Sequence, residues 1–388
     1  VQGQTINARP TLTINKLPQH VKQITNEQRM NRPGIKVIPA DDKGDVEVAD
    51  VYNGVIRHIE YISDADVAYD TACENQVAYG EDVYTQKLQR VMTEHFGMDI
   101  EVYPVFNGTG ANVLSLQAML PRWGAVICAE TAHLGTDESV APQAVGHFAL
   151  LPVPTLGGKI TPETIDLQAY GFGDEHHPQP TVVSLANSTE LGTVYTVDEL
   201  RAIADHVHAK GMFLHVDGAR ISNAASSLGV SLRAITRDVG VDVLSFGGTK
   251  NGLMGAEAVV VFNTAAAPGL TYLRKMNMQL ASKMRFISAQ LLALLEGDLW
   301  KHNAHHSNAM ATRLRSALEG TPGLTFTQNT DANGVFVILP PGVADKLREN
   351  FRFYDWNPNT GEVRWMCAWD TTEDDIDTFV SAVKAVLA

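Results

Sequence analysis

Residues 213–224, FLHVDGARISNA, close an apolar run with a carboxylate, Asp217, and this stretch indicates the fold. From about residue 100 onward, similar runs rich in Val, Ile and Leu alternate with helical patterns. They are EVYPVF, GAVICA, TVVSLA, VDVLSF and EAVVVF. Continuous apolar strands separated by helices are typical of a parallel sheet buried on both faces. The sequence therefore predicts an α/β fold with a mostly parallel central sheet.

The 388 residues are enough for one large domain and a smaller one. After a strongly helical segment at 271–320, the runs TPGLTFTQ, GVFVILP and GEVRWMCAW indicate further strands. A final helix follows, which Thr371 or Thr372 could cap. We therefore predict a polar N-terminal extension over 1–45, a large α/β domain over 46–275 and a small α+β domain over 276–388.

Composition excludes several classes of partner. A net charge of −14 disfavours nucleic acid, because phosphate binding requires a basic face. No apolar run reaches the roughly 18 residues of a membrane span, and no secretory signal opens the sequence. The three cysteines, Cys73, Cys128 and Cys367, are far apart and odd in number. These features predict a cytoplasmic protein without a disulfide framework.

Ligands of open α/β sheets lie beyond the carboxyl ends of the strands, so the polar residues that follow the apolar runs are the candidate site. These are Asn107 to Asn112, His133, Asn187 to Glu190, Asp217 with Arg220, and Thr249 with Lys250. In FNGTGAN, residues 106–112, the glycines would open the N–H groups of a helix N-terminus to an anion, although such a turn can be purely structural.

Asp217 and Lys250 each admit two interpretations. Asp217 could cap the next helix with Arg220 as a surface ion-pair partner, and Lys250, in GGTKNG, could simply reach solvent. A buried carboxylate, however, keeps a pyridine nitrogen protonated, and a lysine of lowered pKa forms an imine with an aldehyde. Arg220 could then donate to the phenolate oxygen of the same ring. This combination predicts pyridoxal 5′-phosphate as the cofactor.

Other polar residues are ambiguous taken singly. His133, in AETAHLGTDES, could stack on the cofactor ring and transfer protons, or be structural. Arg364, in a predicted strand, offers a planar fork suited to an α-carboxylate, although a strand arginine usually faces solvent. His302, His305 and His306 have helical spacing, but no carboxylate accompanies them, so we predict no metal site.

With these motifs in this order, residues 77–388 resemble the L-threonine aldolase/β-eliminating lyase family. Its members are pyridoxal-phosphate enzymes of fold type I, the aspartate aminotransferase fold. The resemblance rests on AYGEDVYT, VFNGTGANVLSL, AETAH, HVDGARISNA and SFGGTKNGLMG. It implies a homodimer or homotetramer with shared active sites, in which AYGEDVYT, with Tyr84, lies near substrate in a neighbouring site.

The resemblance also implies how the cofactor ring is held. Lys250 matches the residue that carries the cofactor covalently, and Asp217 matches the partner of the ring nitrogen. Arg220 matches a residue that contacts the ring oxygen, and His133 matches the one that stacks on the ring.

The same resemblance extends to the phosphate and the substrate. The turn formed by Gly108, Thr109 and Gly110 matches the family's phosphate-binding turn. Arg285, in SKMRFISAQ, resembles a family arginine near the phosphate. Arg364 matches the arginine that binds the substrate carboxylate.

Three departures from the family bear on substrate choice. ADVYNGV, residues 49–55, stands where the family has a Ser-Asp-Asn-Tyr-like segment, which puts Ala49 in place of a serine that positions substrate. Glu190 stands at about the place of a histidine implicated in handling the β-hydroxyl. Lys250 lies in GGTKNG instead of the commoner Ser-Lys-Gly context.

The predicted reaction is cleavage of a β-hydroxy-α-amino acid, such as L-threonine, L-allo-threonine or a phenylserine, to glycine and an aldehyde. His133 or Glu190 would take the β-hydroxyl proton. A β-eliminating lyase or a racemase on the same cofactor is the alternative within enzymes. A non-catalytic protein that binds a small anionic metabolite through FNGTGAN is the alternative outside them.

Overall fold

The computed structural model describes residues 77–388. The predicted extension over 1–45, the segment 49–55 with Ala49, and Cys73 lie outside the described residues. The described part opens with helix α1 (Val83–Phe96), strand β1 (Glu101–Val105) and helix α2 (Gly108–Met119). A side-chain cap begins each of these helices, since Asp82 accepts the N–H of Thr85 and Asn107 accepts that of Gly110.

The chain then builds a large sheet in which strands alternate with helices. In order, these elements are β2 (Gly124–Ala129), α3 (His133–Thr136), α4 (Ala141–Ala144), β3 (Ala149–Val153), α5 (Pro162–Asp166), β4 (Gln179–Ala186), α6 (Val197–Ala209), β5 (Phe213–Gly218), α7 (Ile221–Leu228), β6 (Val243–Gly247) and β7 (Glu257–Val261). Short 3₁₀ turns cover Arg233–Ile235, Arg237–Val239 and Thr249–Asn251.

The large sheet has seven strands in the order β1-β7-β6-β5-β4-β2-β3. Strands β3, β2, β4, β5 and β6 are parallel neighbours, whereas β7 runs antiparallel to both β6 and β1. Every residue of β2, β6 and β7 is buried, as their continuous apolar runs predicted. The α/β fold class with a mostly parallel sheet is therefore confirmed.

A second sheet follows three helices, α8 (Leu270–Met276), α9 (Arg285–Leu295) and α10 (Leu299–Leu318). Its elements are β8 (Thr325–Phe326), β9 (Gly334–Ile338), α11 (Val343–Arg348), β10 (Tyr354–Asn357), β11 (Glu362–Met366) and α12 (Glu373–Leu387). The four strands are antiparallel in the order β10-β11-β9-β8. Thr372, one of the two predicted caps, begins α12 through a capping box with Asp375. The domain boundaries at 45 and 275 stay predictions.

Both sheets are held by buried apolar side chains. The small sheet packs on α10 and α12 through a core that includes Leu314, Val335, Val337, Trp365 and Val383. The two described cysteines, 128 and 367, are free and buried. Among the helices of residues 77–388, none combines the length and the apolar character that crossing a bilayer requires.

The register of the parallel strands positions the candidate site. Asp217, near the end of β5, pairs with Ala186 at the end of β4 and with Ser245 in β6. Because these strands run in the same direction, the polar residues that follow them meet at one edge of the sheet.

Candidate active site

Asp217 lies at the carboxyl end of β5 and is held on both oxygens. The N–H of Ala219 donates to Oδ1 at 2.9 Å, and Nδ2 of Asn112 donates to Oδ2 at 2.8 Å. Burial alone would raise the pKa of Asp217, but the Lys250 ammonium and these two donors together hold it below its usual range. Asp217 is therefore an ionised carboxylate. It does not cap α7, whose N-cap residue is Arg220.

Lys250 lies in the 3₁₀ turn that follows β6; its side chain reaches the surface, while surrounding protein atoms partly shield its amine from water. The charge of Arg220 and then partial burial of the amine lower the pKa of Lys250, while Asp217 and Glu257 oppose that shift. An amine of lowered pKa is more often neutral at physiological pH, which is the form that attacks an aldehyde. The position and electrostatics of Lys250 therefore suit an imine-forming lysine.

Two arginines, Arg220 and Arg364, line one cleft that is open to solvent. The cleft is lined by Ser188, Thr189, Glu190, Gly192, Arg220, Asn333, Gly334, Phe336, Arg364 and Met366. The Nε atoms of Arg220 and Arg364 are buried and have no hydrogen-bond partner among the described residues. Burial, and then the charge of Arg364, lower the pKa of Arg220 to about 10, so Arg220 is not a surface ion-pair residue. Two guanidinium groups with unused donors make the cleft suited to anionic groups.

His133 begins α3 and is tied to two carboxylates. Its ring Nδ1 lies 2.9 Å from Oε1 of Glu138, and its backbone N–H donates to Oε1 of Glu190 at 3.0 Å. The hydrogen bond to Glu138 raises the pKa of His133, and partial burial opposes this shift. His133 is thus anchored beside the Asp217 carboxylate, whose charge also raises its pKa.

Glu190 follows β4 and lines the cleft together with Arg364. Burial raises its pKa to about 7, although the N–H of His133 stabilises the ionised form. A carboxylate with this pKa can both accept and release a proton near neutral pH. The structure therefore brings Glu190 to the cleft, as expected from its place in ANSTELG.

The glycine turn lies at the N-terminus of α2. A Cβ atom at Gly108 would meet nothing within 4 Å, whereas one at Gly110 would lie 2.4 Å from Nε2 of Gln279. Gln279 also accepts the N–H of Phe106 through Oε1 at 3.0 Å. Gly110 is thus in close contact with the amide end of Gln279, a residue that the sequence did not single out. Thr109 lies between the two glycines in the first turn of α2.

Arg285 and Tyr84 lie on helices that pack together, α9 and α1. Arg285 is buried at the start of α9, and its guanidinium lies 5.2 Å from the centre of the Phe286 ring. Tyr84 is half-buried in the first turn of α1. Their assignments to phosphate and to substrate stay predictions. His306, from the histidine triplet, binds the carbonyl oxygen of Thr371 through Nε2 at 2.6 Å.

Several buried polar residues of the site were not assigned from the sequence. Glu138 is 4% exposed and binds both His133 and Asn112. His215 lies two residues before Asp217, with its ring nitrogens 2.9 Å from Ser184 Oγ and 3.0 Å from Ser245 Oγ. Burial lowers the pKa of His215 to about 4, so its ring is neutral. The only sequence signal for His215 was a histidine inside the apolar run FLHVD.

Glu257 is a second buried carboxylate near Lys250. It lies in β7, is 6% exposed and accepts the N–H of Gly248 at 3.0 Å through Oε2. Burial raises the pKa of Glu257 to about 7, although hydrogen bonds from Thr249 and Gly248 oppose this shift. Glu257 thereby fixes the turn that carries Lys250.

Comparison with known proteins identifies the family of the chain. Residues 65–340 match the family described as Beta-eliminating lyase. A low specificity L-threonine aldolase of Pseudomonas sp. is 41% identical over 80% of this chain and 90% of its own length. The protein of the same description from Pseudomonas aeruginosa is also 41% identical, with the same coverage of both chains. A solved structure of Leishmania major threonine aldolase has a TM-score of 0.78 and 29% identity, over 84% of this chain and 95% of that one.

Two further matches concern the fold and the N-terminal part of the chain. Aspartate aminotransferase from Thermus thermophilus has a TM-score of 0.61 at 15% identity, over 85% of this chain and 88% of that one, a likeness of fold. Residues 2–111 match the family described as Phage P22-like portal protein. The described part of that stretch, 77–111, forms α1, β1 and the start of α2, and β1 pairs with β7 of the large sheet. Because the lyase match spans most of the chain and the Pseudomonas relatives align with four fifths of it, the chain belongs to the L-threonine aldolase/β-eliminating lyase family.

Proposed function

We propose that the protein is a pyridoxal-phosphate-dependent carbon–carbon lyase that cleaves β-hydroxy-α-amino acids to glycine and an aldehyde. L-threonine, L-allo-threonine and phenylserine-like compounds are the proposed substrates. The observation that carries this proposal is that Glu190 and Arg364 line one cleft. The charge of Asp217 acts on the pKa of Glu190, and the charge of Arg364 acts on the pKa of Lys250, so the four groups are close together. The descriptions of the Pseudomonas relatives support the substrate class.

The residues present fit the cofactor. Lys250 would hold its aldehyde carbon, and the ionised Asp217 would keep its ring nitrogen protonated. Arg220 has a buried Nε without a hydrogen-bond partner among the described residues, and can donate to the ring oxygen. The turn Gly108–Gly110 would hold the phosphate at the start of α2. When bound, the cofactor withdraws electrons from a bond at the α-carbon of the attached amino acid.

Arg364 would bind the substrate α-carboxylate. Its Nε is buried without a hydrogen-bond partner among the described residues, and its guanidinium lies 5.0 Å from the centre of the Trp356 ring. Such a stacked arginine has few orientations, so it fixes the carboxylate and with it the orientation of the Cα–Cβ bond. This orientation determines which bond of the substrate breaks.

Glu190 is the base that we assign to the β-hydroxyl proton. It lies in the same cleft as Arg364, and its pKa of about 7 leaves it ionised in a large fraction of molecules at neutral pH. The ring of His133 is instead bound to Glu138, which suits the stacking role that the family resemblance implies. Glu190 would thus take the place of the family's histidine.

We also propose that two copies of the chain associate. Large apolar side chains are exposed before α1, just before α2, and from α8 to the start of α9, namely Val77, Tyr79, Phe106, Tyr272, Met276, Met278 and Phe286. The segments that carry them are in contact, because the N–H of Tyr79 binds the carbonyl of Ser282, the amine of Lys275 lies 4.8 Å from the centre of the Tyr79 ring, and the N–H of Phe106 binds Gln279. Apolar side chains grouped in this way favour burial against a partner. Analytical ultracentrifugation would detect the dimer or tetramer, and a monomer would contradict it.

A product assay tests the proposed reaction. Purified protein with added pyridoxal phosphate is incubated with L-threonine, L-allo-threonine and phenylserine, and glycine, aldehyde and ammonia are measured. We expect glycine and aldehyde in equal amounts. Ammonia without glycine would support the β-eliminating alternative, and a change of configuration at Cα alone would support a racemase. If no product forms from any of these substrates, the lyase proposal is wrong and a binding role remains.

A further inference from the structure

Three hydrogen bonds join His133 to Asp217 through two buried residues. Nδ1 of His133 lies 2.9 Å from Oε1 of Glu138. Nδ2 of Asn112 donates to the same Oε1 at 2.9 Å and to Oδ2 of Asp217 at 2.8 Å. Asn112 is 2% exposed and Glu138 is 4% exposed, so water competes little for these bonds.

The amide of Asn112 has a determined orientation. Its two acceptors, Glu138 and Asp217, are carboxylates, so only the NH₂ group can bridge them. The oxygen Oδ1 of Asn112 is accordingly buried and has no hydrogen-bond partner among the described residues. An amide that leaves its own oxygen unpaired to bridge two carboxylates is costly for stability, which indicates that the bridge has a functional use.

We propose that Glu138 and Asn112 are positioning residues, which hold the His133 ring by Nδ1 and connect it to the carboxylate that pairs with the cofactor ring. Glu138 fixes the tautomer of His133, because a carboxylate accepts the Nδ1 proton and leaves Nε2 as the nitrogen that exchanges protons. Asn112 makes the charge on Asp217 depend on the charge on His133. This inference rests on the proposed function, in which Asp217 and His133 contact the same ring.

The charged groups around His133 come from several elements. Glu138 follows α3, Glu190 follows β4, Asp217 lies near the end of β5 and Lys250 follows β6. The acids stabilise the imidazolium and Lys250 opposes it. Since Glu138 alone binds a ring nitrogen of His133 among these groups, removing its charge should change the titration of His133 most.

The first experiment measures the titration of His133 in the holoenzyme. Histidine ring carbons are labelled, the His133 NMR signal is assigned with His133→Asn, and its midpoint is compared in wild type and Glu138→Gln. We expect the midpoint to move to lower pH in Glu138→Gln and kcat/KM to fall about tenfold. Asp166→Asn, which removes the carboxylate that binds His206, is the matched control and should leave the His133 signal unchanged.

The second experiment tests the link through Asn112. The visible absorption of the bound cofactor is titrated with pH in wild type, Glu138→Gln, Asn112→Leu and the double variant. We expect Glu138→Gln to shift this titration in the wild-type background and to have a much smaller effect in the Asn112→Leu background. An equal shift in both backgrounds would exclude Asn112 as the link.

These experiments distinguish failure of the inference from failure of the proposed function. If wild type produces glycine but Glu138→Gln leaves the His133 midpoint unchanged, the inference is wrong and the function stands. If the midpoint moves but no substrate is cleaved, the hydrogen-bonded link stands and the function is wrong. Should Glu138→Gln fail to fold, Glu138→Asp tests the same bond, because it keeps the charge but shortens the reach, and an unchanged midpoint there overturns the inference.

Discussion

The carboxylate of Asp217 and the ammonium of Lys250 each stabilise the charged form of the other. For Asp217, this attraction helps outweigh burial, so its pKa is lowered and it stays ionised. For Lys250, the attraction is outweighed by Arg220 and burial, so its pKa is lowered as well. One pair of residues thus presents a charged acid and an amine that loses its proton easily, the two states that a pyridoxal-phosphate site requires.

Replacing Lys250 should remove the covalent attachment of the cofactor. We expect Lys250→Ala, incubated with pyridoxal phosphate and desalted, to lose the visible absorption of the wild-type protein and to form no glycine from L-threonine. Only an amine in this position can form the imine, and alanine has none. Absorption spectra and a glycine assay measure both effects.

The control for this variant is Lys210→Ala, which removes a lysine that pairs with Asp166 on α5. It should keep both the absorption band and the activity. A coloured and active Lys250→Ala protein would show that another amine holds the cofactor.

The pH dependence of cleavage should follow Glu190. Its pKa is raised to about 7 by burial, and a base must be ionised to accept the β-hydroxyl proton. Activity should therefore rise with pH through about 7 and level off above it. In Glu190→Gln, kcat/KM should fall about 10²- to 10⁴-fold and this rise should disappear.

The measurement is a profile of kcat/KM with pH for both proteins and for Glu130→Gln. Glu130 lies at the surface, where it accepts the N–H of Thr155, and its replacement should leave the profile unchanged. If the rise persists in Glu190→Gln, the base is another group, and His133 becomes the first candidate.

The glycine turn should respond differently at its two glycines. Neither Gly108 nor Gly110 has a positive φ, so contacts decide the outcome. Gly110→Ala places a Cβ 2.4 Å from Nε2 of Gln279, so the end of this flexible side chain has to move and its bond with the N–H of Phe106 is lost, which should lower the free energy of unfolding by about 1 kcal/mol. Gly108→Ala meets nothing within 4 Å and should be neutral or stabilising by up to about 1 kcal/mol.

Chemical denaturation of the cofactor-free proteins measures both changes, so that the phosphate does not enter the comparison. Equal stabilities for the two variants would mean that Gln279 moves aside without cost. In that case any requirement for glycine at position 110 would have to come from the phosphate.

The sequence predicted the large sheet well because its strands are apolar on both faces, and such continuous apolar runs can be recognised without knowing what packs against them. It could not predict that β7 runs antiparallel, since an apolar run of five residues carries no signal of direction. Strands β3 and β10 were not predicted. Strand β3 contains Pro152 at the edge of the sheet, and the first two residues of β10 are exposed, so neither has a continuous apolar run.

For the site, the sequence identified residues that follow strands and missed those that reach it through tertiary contacts. Asp217 lies at the carboxyl end of a strand, Lys250 and Glu190 follow strands, and the rule for α/β sheets finds all three. Glu138 reaches Asn112 across 26 positions, and Gln279 reaches Phe106 across 173. No local pattern encodes such contacts, which depend on how α3, α4 and α8 pack on the sheet.

Glu257 should destabilise the protein at high pH. Its pKa is raised from 4.5 to about 7 in the folded state by burial, so between these values the unfolded chain releases a proton that the folded chain keeps. The stability that the neutral Glu257 side chain contributes is therefore fully present below about pH 4.5, and this contribution is lost as pH rises through about 7. Glu257→Gln removes this loss, and its amide oxygen can still accept the N–H of Gly248.

Urea denaturation at about pH 5 and about pH 8.5 separates the effect of charge from that of shape. For each pH, the free energy of unfolding of wild type is subtracted from that of Glu257→Gln. We expect this difference to be about 1–3 kcal/mol larger at the higher pH than at the lower. Glu130→Gln, at the surface, should show no such difference. If the difference between Glu257→Gln and wild type is the same at both pH values, burial does not favour the neutral carboxyl of Glu257. For this side chain, stability depends on pH only where the folded chain binds a proton that the unfolded chain releases.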